Sequence, residues 1–368
     1  MTVNPTADSR IVVVGGGFAG TGVASALDDI ARVTLVDPND AFVFNIAALR
    51  ALVSPEWIPR IFLPYDHLLR RGRIVRDRAV GIEPGRVMLA SGASVEGDFV
   101  ILATGSSYPF PAKVDSPDSR EAIARYVAAH DATAAADSVL IVGAGAVGLE
   151  LAGEIASQWP DKLVTIVDIA ADILPGDYRQ ELRDELRRQL NEMKIRLVLG
   201  SPLLEEPPIP AAELGHFAVT TRSGLKIEAD IWFRAYGIRP VADYLASSFR
   251  TPDGYVQVDE FMRIGGDDHF YAIGDIAAGH PNGAGRAGRQ AEAVARNIRA
   301  LITGEGEVLP VLPSPPAIIL PLGPEGGAGQ LPGQDELVGP EGVAQMKGRD
   351  MMVDRFNKRM GIGERVEA

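Results

Sequence analysis

The chain has 368 residues, of which 46% are hydrophobic, and it carries a formal net charge of −13. This length is enough for two or three domains with full cores, and the acidic balance argues against a nucleic-acid partner, because phosphate contacts need a basic surface. There is no cysteine, which excludes disulfides, a thiolate nucleophile, Fe–S ligation and a redox-active cysteine pair.

The N-terminus and the apolar runs give expectations about location. The first residues are short and polar, without the charged-then-apolar pattern of an export signal. The chain begins Met1-Thr2 rather than with the Met-Gly of myristoylated proteins. No run approaches about 18 uninterrupted apolar residues, so no membrane-spanning helix is expected. We predict a cytoplasmic protein without an integral membrane segment.

The first predicted unit runs from Arg10 to Asp37. A β-branched strand, residues 11–14, leads into Gly15, Gly17 and Gly20, and then into a helix and a second strand that ends at Asp37. In this G-x-G-x-x-G spacing the first glycine makes a tight turn, the second lets the backbone approach a pyrophosphate, and the third lets the helix pack on the strand. The phosphates sit on the helix N-terminus, and the acid accepts from a ribose hydroxyl.

A second copy of this unit follows. Residues 73–102 predict a small β-meander that closes on a buried strand and a Thr-Gly turn, and residues 119–136 predict a helix after a proline-rich crossing. Strand 139–142 then leads into Gly143, Gly145 and Gly148, and a helix and the strand 163–167 end at Asp168. An acid at this position binds the free 2′-hydroxyl of NAD and repels the 2′-phosphate of NADP, which favours NADH over NADPH. Arg179 and Arg183 lie in a run of mixed charge and are predicted to be solvated.

The remaining elements are simpler. Residues 177–194 predict an amphipathic helix, 195–199 a strand, and 217–234 a hairpin followed by a strand, 230–236, that ends in Gly237. An apolar strand delivers Gly274-Asp275, and a helix over residues 286–301 follows. The five histidines are scattered without metal-ligand spacing, so no metal site is predicted.

The order of first glycine loop, Ala103-Thr104-Gly105, second glycine loop and terminal Gly-Asp resembles the two-dinucleotide-binding-domain flavoproteins of the pyridine nucleotide-disulfide oxidoreductase superfamily. The resemblance implies FAD on the first loop and NAD(P)H on the second, with Glu150 near the nicotinamide and the flavin. The residues implied to contact FAD are Gly15, Gly17, Gly20, Asp37, Thr104, Gly105 and Asp275. Those implied to contact NADH are Gly143, Gly145, Gly148 and Asp168. The other predicted cofactor-binding residues are Phe18, Ala19, Asn45, Arg50, Ala103, Val147, Glu150, Gly237 and Gly274.

Shorter motifs narrow the resemblance. The segments NIAALR (45–50), ILATGS (101–106) and PFPAK (109–113), together with Gly323, Gly329-Gln330, Gly333 and the KGRD run of the tail, are similar to the mitochondrion-associated apoptosis-inducing-factor-like family, which includes the ferroptosis suppressor. The similarity covers nearly the whole chain. It implies that quinones are reduced with NAD(P)H through bound FAD. The missing myristoylation glycine is a departure from that family.

Three residues are candidates for catalytic roles, each with an alternative. Lys113 and Arg50 are the cations expected nearest the flavin or quinone oxygens, or they form rim salt bridges. Glu150 accepts from the nicotinamide amide, or it is a polar residue of the first helical turn, favoured there by the macrodipole.

The tail offers two further choices. Residues 317–330, apolar and stiffened by proline, are predicted to line a pocket for a flat acceptor, and the alternative is structural packing on the FAD domain. The basic stretch 346–360 places Met352, Phe356 and Met360 on one helical face, which predicts either contact with an anionic membrane surface or, as we favour, a buried face.

We predict an α/β fold with two Rossmann-like dinucleotide-binding domains and a small C-terminal α+β subdomain. The FAD-binding domain comprises residues 1–112 and 235–305, the inserted NAD(P)H-binding domain 113–234, and the C-terminal subdomain 306–368. The predicted function is FAD-dependent transfer of electrons from NADH to a quinone-like acceptor, by a monomer or homodimer with peripheral membrane contact left open. The alternatives are a ferredoxin reductase and an interaction protein whose conformation senses NADH.

Overall fold

The structure is a computed structural model that describes residues 9–83, 85–280, 283–313 and 315–359. The elements before the second glycine loop are β1 (Arg10–Val14), α1 (Phe18–Leu27), β2 (Arg32–Asp37), β3 (Ala41–Val43), α2 (Ala48–Val53), α3 (Ile58–Ile61), β4 (Phe62–Pro64), β5 (Arg73–Arg76), β6 (Ala79–Glu83), β7 (Arg86–Leu89), β8 (Ser94–Glu96), β9 (Phe99–Leu102), β10 (Ser106–Ser107) and α4 (Ser119–Ala135). Those of the middle of the chain are β11 (Ser138–Val142), α5 (Ala146–Gln158), β12 (Leu163–Val167), α6 (Gln180–Glu192), β13 (Arg196–Val198), β14 (Phe217–Thr220), β15 (Lys226–Ala229) and β16 (Ile231–Arg234). The remaining elements are β17 (Arg239–Pro240), β18 (Phe270–Ala272), α7 (Ala284–Thr303), β19 (Ile318–Leu322), β20 (Gly326–Gln330), α8 (Pro340–Val343) and α9 (Val353–Arg359).

The first domain is built on a five-stranded sheet of order β18-β9-β1-β2-β5. All four pairings in it are parallel. Strands β1 and β9 are apolar and almost wholly buried, as expected for a parallel sheet covered on both faces. Helices α1 and α7 pack on one face. The antiparallel meander β6-β7-β8 covers the other face, where Val87 and Val95 join the cluster of Val12 and Val100.

The second domain repeats this plan with a parallel sheet of order β13-β12-β11-β16. The hairpin β14–β15 packs on one face of it, where Phe217 and Ile227 meet Leu140 and Trp232. The chain then returns to the first sheet as β18, so the second unit is inserted into the first. This confirms the prediction of two Rossmann-like domains, whereas the exact boundary residues stay predictions.

The C-terminal segment packs on the inserted domain. Strands β19 and β20 form an antiparallel hairpin that lies against α5, so closely that a Cβ at Gly153 would be 2.5 Å from Leu322 Cα. Gln189 of α6 donates to the carbonyl of Gly327 at 2.9 Å and accepts from its amide at 2.6 Å. The hairpin is thereby fixed to two helices of the second domain.

The last helix, α9, returns to the first domain. The ring of Phe356 lies 5.0 Å from that of Phe18 and 4.9 Å from that of Phe44. Met352 is partly buried against the same core, which agrees with the buried alternative for the basic stretch, and Met360 lies outside the described residues. Within the ranges given above, no helix is long and apolar enough to cross a bilayer.

Candidate active site

The first glycine loop is shaped by close backbone contacts. Gly15 has φ +105°, and a Cβ on it would lie 2.4 Å from the carbonyl oxygen of Ala103. A Cβ on Gly20 would lie 1.8 Å from the carbonyl oxygen of Gly15. In contrast, Gly17 is exposed, and a Cβ there would have no atom within 4 Å. The outer glycines are therefore required by the protein itself, whereas the middle one leaves space for a ligand.

The second loop repeats this geometry. Gly143 has φ +117°, and its Cβ would lie 2.4 Å from the carbonyl oxygen of Ala235. A Cβ on Gly148 would lie 1.9 Å from the carbonyl oxygen of Gly143, and one on Gly145 would have no atom within 4 Å. Two sites of the same construction thus stand at the carboxyl ends of β1 and β11, where open α/β sheets bind nucleotides.

The two predicted ribose acids hold their own glycine loops. Asp37 accepts from the amide of Gly16 at 2.5 Å, and Asp168 accepts from that of Ala144 at 2.5 Å. Asp37 is buried, and this desolvation raises the pKa of its carboxyl group although the backbone hydrogen bonds oppose it. Asp168 is only partly buried. Each carboxylate has lone pairs beyond these bonds, so the ribose contacts stay predictions.

Several predicted FAD residues come together beside the first loop. A Cβ on Gly274 would lie 3.2 Å from Ala19 Cβ, and one on Gly20 would lie 3.4 Å from Ala103 Cβ. The Gly-Asp turn therefore reaches the start of α1, although it lies more than two hundred residues further along the chain.

Asp275 belongs to a polar cluster with Lys113. Ser106 Oγ donates to Asp275 at 2.7 Å, Lys113 Nζ donates to Ser106 O at 2.6 Å, and Lys113 Nζ lies 3.5 Å from the Asp275 carboxylate. Burial lowers the pKa of Lys113, and Asp275 opposes that shift. We did not predict a role for Ser106, although it directly follows the Thr-Gly turn.

The Thr-Gly turn, Thr104-Gly105, contacts the segment in which the chain returns from the second domain to the first. Thr104 Oγ1 donates to the carbonyl of Val241 at 2.5 Å and lies 2.8 Å from the hydroxyl of Tyr244. Gly105 and Gly237 both have positive φ, +68° and +88°, beside the short antiparallel pair β10–β17. Their contacts with a cofactor stay predictions.

The segment that packs on Phe18 carries a buried polar atom, on Asn45, without a partner among the described residues. Phe18 directly follows the exposed Gly17, and its ring packs between Phe42, Phe44 and Phe356. The side-chain oxygen of Asn45 is buried and has no hydrogen-bond partner within the described part of the chain. Because buried acceptors are nearly always satisfied, this orphaned oxygen is consistent with a donor supplied by a ligand, and Asn45 is a predicted FAD residue.

Arg50 lies at a junction of all three parts of the molecule. Its guanidinium, buried on α2, pairs with Glu154 of α5 through Nε–Oε2 and through Nη2–Oε1 at 2.8 Å. The same group donates to the carbonyl of Gly348 at 2.9 Å. The predicted contact with flavin or quinone stays a prediction, but the structure also gives Arg50 a role in holding the domains together. Glu154 was not predicted, although its i+4 spacing from Glu150 was a signal.

Glu150 is paired with a residue of the tail. Lys347 Nζ donates to its carboxylate at 2.7 Å, and both side chains are largely buried. Desolvation raises the pKa of Glu150 in spite of Lys347, and the nearby carboxylate of Glu154 adds to the increase. The charged groups at this junction are thus two acids on one face of α5, each with a cation from another part of the chain.

The raised pKa of Glu150 predicts a pH dependence of stability. The folded protein holds this proton more tightly than the unfolded chain, so stability falls as pH rises from the ordinary glutamate pKa through the higher folded value. We expect the Glu150→Gln variant to lack this component, so that its melting temperature declines less across that interval. Thermal melts of both proteins over a pH series test this. Parallel curves for the two proteins would contradict it.

The arginines after Asp168 are engaged by the protein. Arg183 was predicted to be solvated, but it donates to the backbone carbonyls of four residues in the preceding loop, Ile173, Leu174, Gly176 and Tyr178. Arg179 donates to the carbonyl of Asp335 at 2.5 Å. The solvated prediction was therefore wrong for Arg183, because a helix side chain beside an irregular loop finds free carbonyls there. The guanidinium of Arg183 is therefore occupied by backbone carbonyls, whereas Arg179 donates through Nη1 and its Nε has no partner among the described residues. The preference for NADH over NADPH stays a prediction from Asp168.

The predicted acceptor wall, residues 317–330, forms the β19–β20 hairpin. Leu320, Leu322 and Ala328 are buried. The structural alternative expected this segment to pack on the FAD domain, but the hairpin packs on helix α5 of the inserted domain. Ile318 and Ile319 remain partly exposed. These two partly exposed side chains are the ones that could line a pocket for a flat acceptor, and that role stays a prediction.

Known proteins are similar to this chain in sequence and in fold. The sequence profile of the pyridine nucleotide-disulphide oxidoreductase family matches residues 9–291. Ferroptosis suppressor protein 1 of Taeniopygia guttata is 32% identical over 96% of this chain and 96% of its own. Apoptosis-inducing factor homolog B of Dictyostelium discoideum is 26% identical over 94% and 95% of the two chains. The structure of NDH2 from Plasmodium falciparum in complex with NADH is similar in fold, with a TM-score of 0.72 at 12% identity over 92% of this chain and 93% of that one.

Proposed function

We propose that this chain, which belongs to the pyridine nucleotide-disulphide oxidoreductase family, transfers electrons from NADH through FAD to a quinone-like acceptor. The chain is an FAD-dependent NAD(P)H oxidoreductase of Rossmann-type fold. The observation that supports the proposal best is the pair of glycine loops, each with a middle glycine that leaves space for a ligand. We also propose that the protein works in the cytoplasm.

The two glycine loops and the charged residues Glu150 and Lys113 have different expected roles in this reaction. Gly17 and the helix N-terminus behind it would hold the FAD pyrophosphate, and Gly145 would hold that of NADH. FAD, when bound, supplies the hydride and electron chemistry, and the protein supplies binding and orientation. Glu150 and Lys113 are the charged side chains we expect nearest the reacting rings. Lys113 is held in place by Ser106 and Asp275, so its charge has a fixed position.

The proposal of a quinone-like acceptor follows from the absence of cysteine in the sequence. Without cysteine the protein has no thiol to pass electrons through a disulfide, so the acceptor must meet the flavin directly. A flat quinone-like ring satisfies this requirement, and the resemblance to the apoptosis-inducing-factor-like family points to the same class.

The test is anaerobic stopped-flow absorbance of the flavin. We expect NADH to bleach the flavin absorbance rapidly and a short-chain quinone to restore it rapidly. A purified protein that is colourless and takes up no FAD would contradict the proposal.

The same experiment separates the alternatives. Rapid bleaching that persists after addition of quinone would point to a protein acceptor, and rapid recovery with a ferredoxin would then support a ferredoxin reductase. A long-lived bleached complex with either acceptor would support an NADH-sensing interaction protein.

A further inference from the structure

The middle peptide of each glycine loop is held from two sides. In the first loop the amide of Gly16 donates to Asp37 at 2.5 Å, and the carbonyl of Gly16 accepts from the hydroxyl of Tyr65 at 3.0 Å. In the second loop the amide of Ala144 donates to Asp168 at 2.5 Å, and its carbonyl accepts from the amide of Leu174 at 2.8 Å. The two loops therefore use the same pair of bonds, but the second donor is a side chain in one and backbone in the other.

Holding this carbonyl orients the next amide. A trans peptide is planar, so its C=O and the following N–H point in opposite directions. With the Gly16 carbonyl directed inward to Tyr65, the N–H of Gly17 is directed to the opposite side, and Gly17 is exposed there. An amide at this position in a glycine loop is a donor to the pyrophosphate.

The Tyr65 ring belongs to the hydrophobic core, and its hydroxyl donates to the Gly16 carbonyl. It is 5% exposed, and burial together with the nearby Asp37 and Asp40 raises its pKa well above the ordinary tyrosine value, so the hydroxyl stays protonated and remains a donor. A Cβ on Gly16 would lie 2.2 Å from that hydroxyl. In the second loop the residue at the corresponding position is Ala144, and its carbonyl accepts from the backbone amide of Leu174 instead of a side-chain hydroxyl.

We propose that Tyr65 is a positioning residue for FAD, because its hydroxyl fixes the Gly16–Gly17 peptide in the orientation that binds the pyrophosphate. The proposal rests on FAD binding by the first loop and does not depend on which acceptor the enzyme uses.

The first test measures release of FAD from the Tyr65→Phe holoprotein. After dilution, the return of free-flavin fluorescence gives the dissociation rate, which we expect to be about tenfold faster than in the wild type, as for the loss of one buried hydrogen bond. The affinity for NADH should be unchanged. The matched control is Tyr271→Phe, since Tyr271 is 1% exposed and its hydroxyl also donates to a carbonyl, that of Asp268 at 2.8 Å. We expect the control to release FAD at the wild-type rate.

A second variant tests the mechanism. In Gly16→Ala the new Cβ has to displace the hydroxyl, so FAD release should again be faster, and adding Tyr65→Phe in that background should have little further effect. Additive effects of the two substitutions would overturn the inference. So would a wild-type release rate in Tyr65→Phe, or equal acceleration in Tyr271→Phe. A wild-type protein that binds no FAD would overturn the proposed function as well, whereas an unaffected Tyr65→Phe holoprotein would overturn this inference alone.

Discussion

Replacing Arg50 with alanine is expected to lower the free energy of unfolding by about 3–5 kcal/mol, because it leaves the Glu154 carboxylate buried without its cation. The Arg50 and Glu154 side chains are 6% and 3% exposed, so water does not replace the lost partner. The carbonyl of Gly348 loses its donor in the same variant. Urea denaturation followed by tryptophan fluorescence measures the change, since the ring of Trp57 lies 5.5 Å from the Arg50 guanidinium.

The control is an arginine with similar pairing at the surface. Arg188 bonds Glu185 and Glu192, but it is 52% exposed, so Arg188→Ala should lower the free energy of unfolding far less than Arg50→Ala does. A double variant, Arg50→Met with Glu154→Leu, should recover most of the loss, because it removes both charges and keeps apolar volume. A cost for Arg50→Ala as small as that of Arg188→Ala would show that the junction does not hold the domains.

The parts of this protein that could be predicted from the sequence are those with local causes. The turn at Gly15, the packing at Gly20 and the acid at the end of β2 lie within one strand–helix–strand unit, so their spacing alone specifies the arrangement. The second loop repeats the spacing and therefore repeats the geometry, down to the bond from the middle amide to the acid.

The parts that could not be predicted depend on contacts between distant segments. The pair Arg50–Glu154 spans 104 residues, and the pair Lys347–Glu150 spans 197. No periodicity in the sequence reports such partners, and a charged residue in an apolar helix fits a surface position equally well. The role of Arg183 was missed for a related reason, since the carbonyls that it binds are free only because the loop before α6 is irregular.

Substitution of Gly145 by alanine should weaken NADH binding and leave the fold intact. Gly145 has φ −75° and ψ −178°, which alanine adopts without strain, and its Cβ would touch no protein atom within 4 Å. The methyl group instead occupies the space that we expect the pyrophosphate to enter. We expect the NADH dissociation constant to rise about tenfold or more, as for a misplaced methyl group in a binding site, with FAD content and melting temperature unchanged.

The neighbouring Gly148→Ala variant separates a ligand effect from a folding effect. Its Cβ would lie 1.9 Å from the carbonyl oxygen of Gly143, and because backbone cannot yield easily, the helix α5 must move off β11. We therefore expect a lower melting temperature in Gly148→Ala together with loss of NADH binding, measured by NADH titration and thermal melts on the same samples. If Gly145→Ala bound NADH as the wild type does, the open space above the second loop would not be the nucleotide site. If both variants melted early, the loss of binding in Gly145→Ala would reflect the fold and not the ligand, and the steric division between the two glycines would be wrong.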